Sequence, residues 1–250
     1  MNGTERSPRV ALVTGASRRI GKCIALDLAR AGWRVAVHFG SSGAEAEEVR
    51  AEIEAVGGAA ISIGADLADP TSADHLVSSC ASALGPLTCL VNNASLFLED
   101  DIGNLDVALW DRQMAVNLRA PILLAKAFAK QLPEGATGNI VNIIDQRVLA
   151  PTPEFLSYSV AKAGLYAATK MLAQALAPRI RVNGVGPGPV LPSVYQDDAA
   201  FAAEARSTLL GRASAPAEIA DAVRFILDAP SLTGQMIAID AGQHLAWRSR

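Results

Sequence analysis

Tyr158 and Lys162 stand four residues apart within Ser157–Leu176, a stretch whose pattern predicts a helix, so their side chains share one face. An ammonium beside a phenol favours the phenolate. Lys162 is therefore expected to lower the Tyr158 pKa from about 10 and make it a proton donor near neutral pH. Asp145, thirteen residues before Tyr158, closes an apolar run that reads as a strand. Far upstream, Thr14–Gly21 reads TGASRRIG, a glycine-flanked turn with arginine inside it. A tuned proton donor together with a turn suited to pyrophosphate points to nicotinamide-dependent reduction, in which the cofactor brings the hydride and the protein the proton.

Those residues need a frame. The strand candidates are Val10–Thr14, Arg34–Phe39, Ala59–Gly64, Cys89–Asn92, Asn139–Ile144, Ile180–Val185 and Met236–Ile239. Most are nearly continuously apolar, as strands covered on both faces are. Between them lie helical patterns at Ile20–Ala31, Ala44–Val56, Thr71–Leu84, Ala108–Leu132, Ser157–Leu176 and Ala217–Leu227. Strand–helix alternation predicts a parallel sheet with helices on both faces. No linker, repeat or low-complexity tract divides residues 1–250, so a single domain is expected, with 1–8 as a frayed tail. Residues 186–209 begin GPGPVLP and are expected to form a loop with a short helix from about Asp197. Following a strand's carboxyl end, this loop reads as a substrate lid, with a plain connection as the alternative.

Val10–Thr14 followed by the glycine turn and a helix is the order a pyrophosphate site requires. Glycine admits the backbone, and the helix N-terminus offers unpaired N–H groups. At the end of the second strand no acid appears before Glu45. An NAD site usually has a carboxylate there for the ribose 2′-hydroxyl. His38, Ser41 and Ser42 can donate hydrogen bonds instead, and Arg18 adds charge, a pattern that favours a 2′-phosphate and hence NADPH over NADH. The competing reading makes His38 a strand-end residue and Ser41–Ser42 a helix cap. Asp66 and Leu67 end the third strand, where the adenine is expected. Asn92 either stabilises the sheet or faces the cofactor.

Taken together, the chain resembles the short-chain dehydrogenase/reductase family over nearly its whole length. The residues carrying the resemblance are TG…G at Thr14–Gly21, Asp66, NNA at Asn92–Ala94, Asn117, YSVAK at Tyr158–Lys162 and RVNGVGPG at Arg181–Gly188. The resemblance implies a single doubly wound Rossmann-like domain with a seven-stranded parallel sheet, a homotetramer, and an Asn–Ser–Tyr–Lys catalytic set. Two positions depart from that pattern. Arg19 stands where the turn usually has a small residue, and Asp145 stands for the serine. A serine donates a hydrogen bond to a carbonyl, whereas an ionised aspartate only accepts. Asp145 therefore suits a substrate that offers N–H groups or needs a proton at a ring nitrogen. Both departures, with NNASxF at Asn92–Phe97 and the end DAGQHL at Asp240–Leu245, resemble the pteridine reductase branch, which includes dihydromonapterin reductases and alternative dihydrofolate reductases.

That resemblance implies roles residue by residue. Phe97 would stack on the pterin, and Ser95 would bond the pterin or a cofactor phosphate. Arg19 would reach the pyrophosphate and the pterin edge. Asp145 and Tyr158 would deliver the proton, Lys162 would hold the nicotinamide ribose, and Asn117 would hold a water near Lys162. The expected cofactor surface is Gly15, Ser17, Arg18, Arg19, Ile20, Gly21, His38, Ser41, Ser42, Asp66, Leu67, Asn93, Ala94, Tyr158, Lys162, Pro187, Gly188 and Val190. Val190, Leu191 and Tyr195 would close over the substrate, a pterin or folate.

Plainer readings compete. Asp145 as drift at a dead site conflicts with the presence of Asn117, Tyr158 and Lys162. Arg19 as a solvated charge is disfavoured at a helix N-terminus unless an anion sits there. Phe97, taken alone, reads as core. A carbonyl reductase acting on a ketone or 3-oxoacyl substrate, and a non-catalytic NADPH sensor, are the alternative functions. The formal net charge of −3 gives no basic excess for nucleic acid or a membrane surface. No run approaches the roughly 20 apolar residues of a membrane span, and the N-terminus lacks the apolar core of a secretory signal. Cys23, Cys80 and Cys89 form no CxxC pair and read as reduced, mostly buried thiols of a cytoplasmic protein. The three His and three Cys show no metal-ligand spacing. His75 reads as a surface residue. His244 and Trp247 are expected either at a subunit contact or in an ordered tail.

Overall fold

Apolar residues that run on without a break need cover on both sides, and the chain supplies it. A computed structural model describes residues 9–246; the expected tail at 1–8, and Trp247, lie outside the described residues. The strands are β1 (Val10–Val13), β2 (Arg34–Phe39), β3 (Ala60–Gly64), β4 (Cys89–Asn92), β5 (Gly138–Ile143), β6 (Ile180–Pro187) and β7 (Met236–Ile239). They form one sheet in the order β3-β2-β1-β4-β5-β6-β7, parallel at every pairing. The helices are α1 (Arg19–Arg30), α2 (Gly43–Ala55), α3 (Ser72–Leu84), α4 (Val107–Met114), α5 (Ala120–Gln131), α6 (Leu156–Leu176), α7 (Asp198–Ser207) and α8 (Pro216–Asp228).

Successive strand residues point to opposite faces, so each strand feeds two cores. Ala11, Val13, Val35, Val37, Cys89 and Val91 pack with Ile24 and Leu28 of α1, Val49 and Ile53 of α2, and Ile219 and Val223 of α8. Val10, Leu12, Ala36, Leu90 and Ile140 face the other way, onto Leu76 and Cys80 of α3 and Leu124 and Phe128 of α5. Cys80 and Cys89 are buried, and burial pushes both thiols up to about 12. They therefore stay protonated at neutral pH. No described helix is long and apolar enough to cross a membrane.

Two differences from the expected elements matter. The helix expected over Ala108–Leu132 is interrupted by a π turn at Ala115–Arg119. The wider turn shifts the helical register and leaves Asn117 fully buried. β6 runs on to Pro187, because Gly186 and Pro187 still pair with Ala238 and Ile239 of β7. Inside residues 186–209, α7 begins behind Asp197, whose carboxylate accepts from the Ala200 N–H. The strand order reverses where β1 lies between β2 and β4. A crevice forms at that point, outside the strands' carboxyl ends.

Candidate active site

The glycine turn after β1 is braced from three directions. Gly15 takes φ 61, in the left-handed region, and a Cβ there would lie 2.9 Å from Ala94 Cα. A Cβ on Gly21 would collide with the Gly15 carbonyl oxygen. Asn93 Nδ2 donates to the carbonyls of Thr14 (2.8 Å) and Gly15 (3.0 Å), and Thr14 Oγ1 accepts from the N–H groups of Asn93 and Ala94. At the start of α1 neither a capping side chain nor an acid occupies the first turn, which leaves the helix N-terminus open to an anion.

His38 corrects an expectation. Its side chain does not offer a proton to a 2′-phosphate. It is 2 % exposed, its Nδ1 accepts from the Gly15 N–H at 3.1 Å, and its Nε2 faces the Ala65 carbonyl at 3.1 Å. Both nitrogens are thus used inside the fold, with Nε2 carrying the hydrogen. Burial lowers the imidazole pKa to about 4, so the ring is neutral. It joins the glycine turn to the end of β3. Ser41, Ser42, Asp66 and Leu67 line the cleft beside it. Asp66 accepts from the Ala68 N–H of its own turn.

Arg19 also holds a left-handed conformation, φ 54, uncommon for a residue with a side chain. Its guanidinium crosses the cleft and donates to the carbonyls of Leu191 (3.2 Å) and Pro192 (2.9 Å). This arginine therefore ties the glycine turn to the loop after β6.

Asp145, Tyr158 and Lys162 meet beneath that loop. The Tyr158 hydroxyl donates to Asp145 Oδ2 at 2.8 Å, and the Arg147 N–H donates to Asp145 Oδ1 at 2.8 Å. Lys162 Nζ donates to the Ile143 carbonyl at 2.8 Å and lies 5.6 Å from the Tyr158 ring centre. The expected lowering of the phenol pKa is overturned. Burial, and then the Asp145 charge, raise Tyr158 well above the ordinary range. Burial also raises the Asp145 carboxyl, so it holds a proton more readily than a solvated aspartate. Burial lowers Lys162 to about 8.

The Asn117 side-chain amide is engaged within the protein. Oδ1 accepts from Ser95 Oγ (3.0 Å) and the Leu96 N–H (2.9 Å), and Nδ2 donates to the Leu96 carbonyl (2.8 Å). Asn92 belongs to the sheet, donating to Asn142 Oδ1, while Asn142 donates to Thr169. The segment after β4 that carries Ser95 and Phe97 is thereby fixed.

Phe97 borders an aromatic group only partly legible in the sequence. It stacks on Phe155 with ring centres 4.1 Å apart and planes at 13°. It meets Tyr158 edge-on at 4.8 Å and Tyr195 at 6.3 Å. Sequence reasoning missed Phe155. The one local hint is its place just before a helix, where it takes φ 55. Arg147 lies over the Phe155 ring at 5.2 Å and donates to Thr152. Tyr195 accepts from the Glu99 N–H at 3.3 Å.

The cleft enclosed by these elements has a volume of about 930 Å³. The expected cofactor and substrate residues all line it. Glu99, Arg112, Glu154, Glu204 and Gln243 line it as well, and nothing in their spacing announced this. Gly188 belongs to the wall because a Cβ there would lie 2.7 Å from Asp240 Cα. His75 is exposed. His244 Nδ1 pairs with Asp240 Oδ2 at 2.6 Å, which ties the described carboxyl end to β7. Among the described residues no His, Cys, Asp and Glu cluster suits a metal ion.

A nucleotide-sized cleft, an anion-ready helix end and a Tyr–Lys pair are the working parts of a pyridine-nucleotide oxidoreductase. The chain belongs to the short chain dehydrogenase family, whose profile matches residues 9–201. Similar solved structures include the FolM alternative dihydrofolate reductase 1 of Brucella suis in complex with NADP. It is 48% identical with a TM-score of 0.93, the match covering 96% of this chain and 97% of that one. The Brucella canis protein of the same name, complexed with NADP, is 47% identical with a TM-score of 0.91, covering 96% of both chains. A 3-oxoacyl-[acyl-carrier-protein] reductase of Synechocystis is 34% identical over 96% of this chain and 98% of its own.

Proposed function

We propose that this chain is an NADPH-dependent pteridine reductase that converts a dihydropterin, such as dihydromonapterin, dihydrobiopterin or dihydrofolate, to the tetrahydro form. The observation that carries this reading is the Tyr158–Asp145 hydrogen bond at 2.8 Å beside the Phe97 ring. A carbonyl reductase needs a second hydroxyl donor at the Asp145 position, and here an acceptor holds the tyrosine proton.

The cleft fits NADPH on its own evidence. The Gly15 and Gly21 positions leave no room for a Cβ, and the α1 N-terminus is uncapped by a side chain. Arg18, Ser41 and Ser42 line the cleft and can donate to a 2′-phosphate, with no carboxylate among them. The NADP complexes of the Brucella relatives support the same cofactor. When bound, NADPH supplies the hydride to an imine carbon of the ring.

The chain's own residues account for the proton. The ring nitrogen next to that carbon draws its proton from the Tyr158 hydroxyl, which Asp145 orients by accepting its hydrogen bond, and the phenol regains the proton from solvent. Lys162 keeps positive charge next to both groups. Asp145 also accepts from ring N–H groups, and Phe97 and Tyr195 exclude water from the heterocycle's faces. The same reading carries a homotetramer, as the family resemblance implies, working in the cytoplasm, as the unpaired cysteines suggest.

The test is NADPH oxidation by purified protein with 7,8-dihydromonapterin, 7,8-dihydrobiopterin and dihydrofolate, beside a ketone and 3-oxoacyl panel. Turnover on a dihydropterin, with NADH far weaker, is the expected result. Turnover on ketones alone would establish the carbonyl reductase reading, which the Synechocystis relative's name favours. Cofactor binding without turnover of either class would indicate the NADPH sensor.

A further inference from the structure

Arg147 stands two residues after Asp145, in the 3-10 turn Gln146–Val148. Its backbone N–H donates to Asp145 Oδ1 at 2.8 Å. Its half-buried side chain lines the cleft. There Nη1 donates to Thr152 Oγ1 at 2.6 Å, and the guanidinium lies 5.2 Å from the Phe155 ring centre. Phe155 stacks on Phe97, and Phe97 meets the Tyr158 ring edge-on. The positive charge is thus held by a neutral hydroxyl and an aromatic face. No ion pair among the described residues involves Arg147. Glu99 and Glu154 line the same cleft at exposed positions, and neither pairs with it.

An arginine keeps its charge at every working pH. Drawing that charge partly out of water costs free energy unless an opposite charge gains from it. The groups that gain are the buried pair beside it. Burial raises the Asp145 carboxyl. The Arg147 N–H, the Tyr158 hydroxyl, the Arg147 charge and then Lys162 oppose that rise, in that order. Burial and Asp145 raise Tyr158, and the Arg147 charge again works the other way. Lys162 is the weaker counter-charge for a geometric reason: its Nζ donates to the Ile143 carbonyl. Burial also lowers it to about 8, so its charge fades where that of arginine persists.

We propose that Arg147 is a positioning residue of the proton-delivery pair, a fixed positive charge that keeps Asp145 an ionised acceptor for the Tyr158 hydroxyl. The inference rests on the reading of Asp145 and Tyr158 as that pair. It gives Arg147 the electrostatic part that the Tyr–Lys spacing alone assigns to Lys162. Phe155 and Thr152 gain a role with it, because ring and hydroxyl together station the guanidinium. The groups acting on Asp145 are Tyr158 and Lys162 from α6 and Arg147 from its own turn. Glu99 and Glu154 stand in water, where salt screens them.

The test follows Asp145 across pH in wild type, Arg147→Met, Arg147→Lys and Thr152→Val. The direct readout is carboxyl 13C NMR, with Asp145→Asn to assign the resonance. The second readout is kcat/KM on 7,8-dihydrobiopterin. Removing a neighbouring cation disfavours the carboxylate, so Arg147→Met should move the Asp145 titration up by about one pH unit. The acid limb of kcat/KM should move with it, while KM for NADPH stays within about twofold of wild type. Arg147→Lys keeps the charge and should hold the limb near its wild-type position. Thr152→Val frees the guanidinium and should move the limb the same way by less. An Asp145 titration unmoved in Arg147→Met, or moved equally in Arg147→Lys, would overturn the inference alone. An acid limb that persists in Asp145→Asn would overturn it too, since the limb would then belong to another group. A wild-type protein that reduces no pterin would overturn the proposed function, and the NMR titration would still decide the part of Arg147.

Discussion

Replacing Asp145 by asparagine separates charge from shape at the centre of the site. The carboxylate accepts two hydrogen bonds, one from the Arg147 backbone N–H and one from the Tyr158 hydroxyl, each at 2.8 Å. Asparagine keeps one acceptor. The Arg147 N–H is fixed in its turn, whereas the phenol proton rotates freely about its C–O bond. The asparagine oxygen therefore stays with Arg147, its NH₂ meets the phenol oxygen, and the phenol proton swings into the cleft. A hydrogen bond to a charged group contributes about 1.5–3 kcal/mol. Asp145→Asn should therefore lower kcat on a dihydropterin by about 10- to 150-fold, while ketone reduction rises from its baseline because the phenol is now a free donor.

Stability should move the opposite way. Burial raises the Asp145 pKa in the folded protein, so the folded state prefers the proton. The contribution is most favourable in acid and is lost as pH rises through the raised folded value. Asp145→Asn should therefore melt higher than wild type near pH 8, with the gap closing toward acid. Steady-state NADPH oxidation on both substrate classes and melting curves across pH read these effects. An unchanged kcat on dihydropterin, or a lower Tm near pH 8, would refute the reasoning.

Tyr158→Phe should nearly abolish turnover while NADPH still binds, as fluorescence titration would show; full activity would sink the proton route. Burial lowers Lys162 to about 8, so its charge is lost as pH rises through that value and kcat/KM should fall with it. Lys162→Arg should move that limb far to the alkaline side, and a flat wild-type profile well beyond pH 8 would count against the assignment. His38, held from its ordinary 6.5 down to about 4, contributes about 3 kcal/mol above pH 6.5 that is lost as pH falls through 4. Urea unfolding at neutral and acid pH should show that slope in wild type and not in His38→Gln. Gly21→Ala should remove NADPH binding, because its Cβ collides with the Gly15 carbonyl; retained affinity in a titration would show that the turn yields.

The sheet was legible because its strands are apolar without interruption, and a residue buried on either face leaves the same mark. Tyr158, Lys162, Asp145 and the glycine turn were legible because each sits at fixed spacing on one local element. Pairings across long sequence separations were not. His38 reads as a polar strand end, yet its nitrogens are claimed by Gly15 and Ala65, on two other segments. Lys162 and Tyr158 do share a face, but burial in the folded core, and a carboxylate carried just after β5, reverse the expected phenol shift. Phe155 lies outside any periodic pattern, so its stacking on Phe97 follows from the fold alone.

The two sides of the cleft are fastened unequally. The stretch bearing Ser95 and Phe97 is gripped by Asn117 at Leu96, by Gln113 at the Leu98 carbonyl, and by Asp100, whose carboxylate and carbonyl receive the Ser157 and Leu156 N–H groups. The opposite stretch, from Leu191 to Tyr195, reaches across by one guanidinium and one phenol. The site is a vice with one jaw bolted and one sprung. On the pteridine reductase reading, the bolted jaw would set which flat rings fit, so changes at Asn117, Gln113 or Asp100 should alter that choice. The sprung jaw would set how long a ring stays, so changes at Arg19 or Tyr195 should alter its residence time.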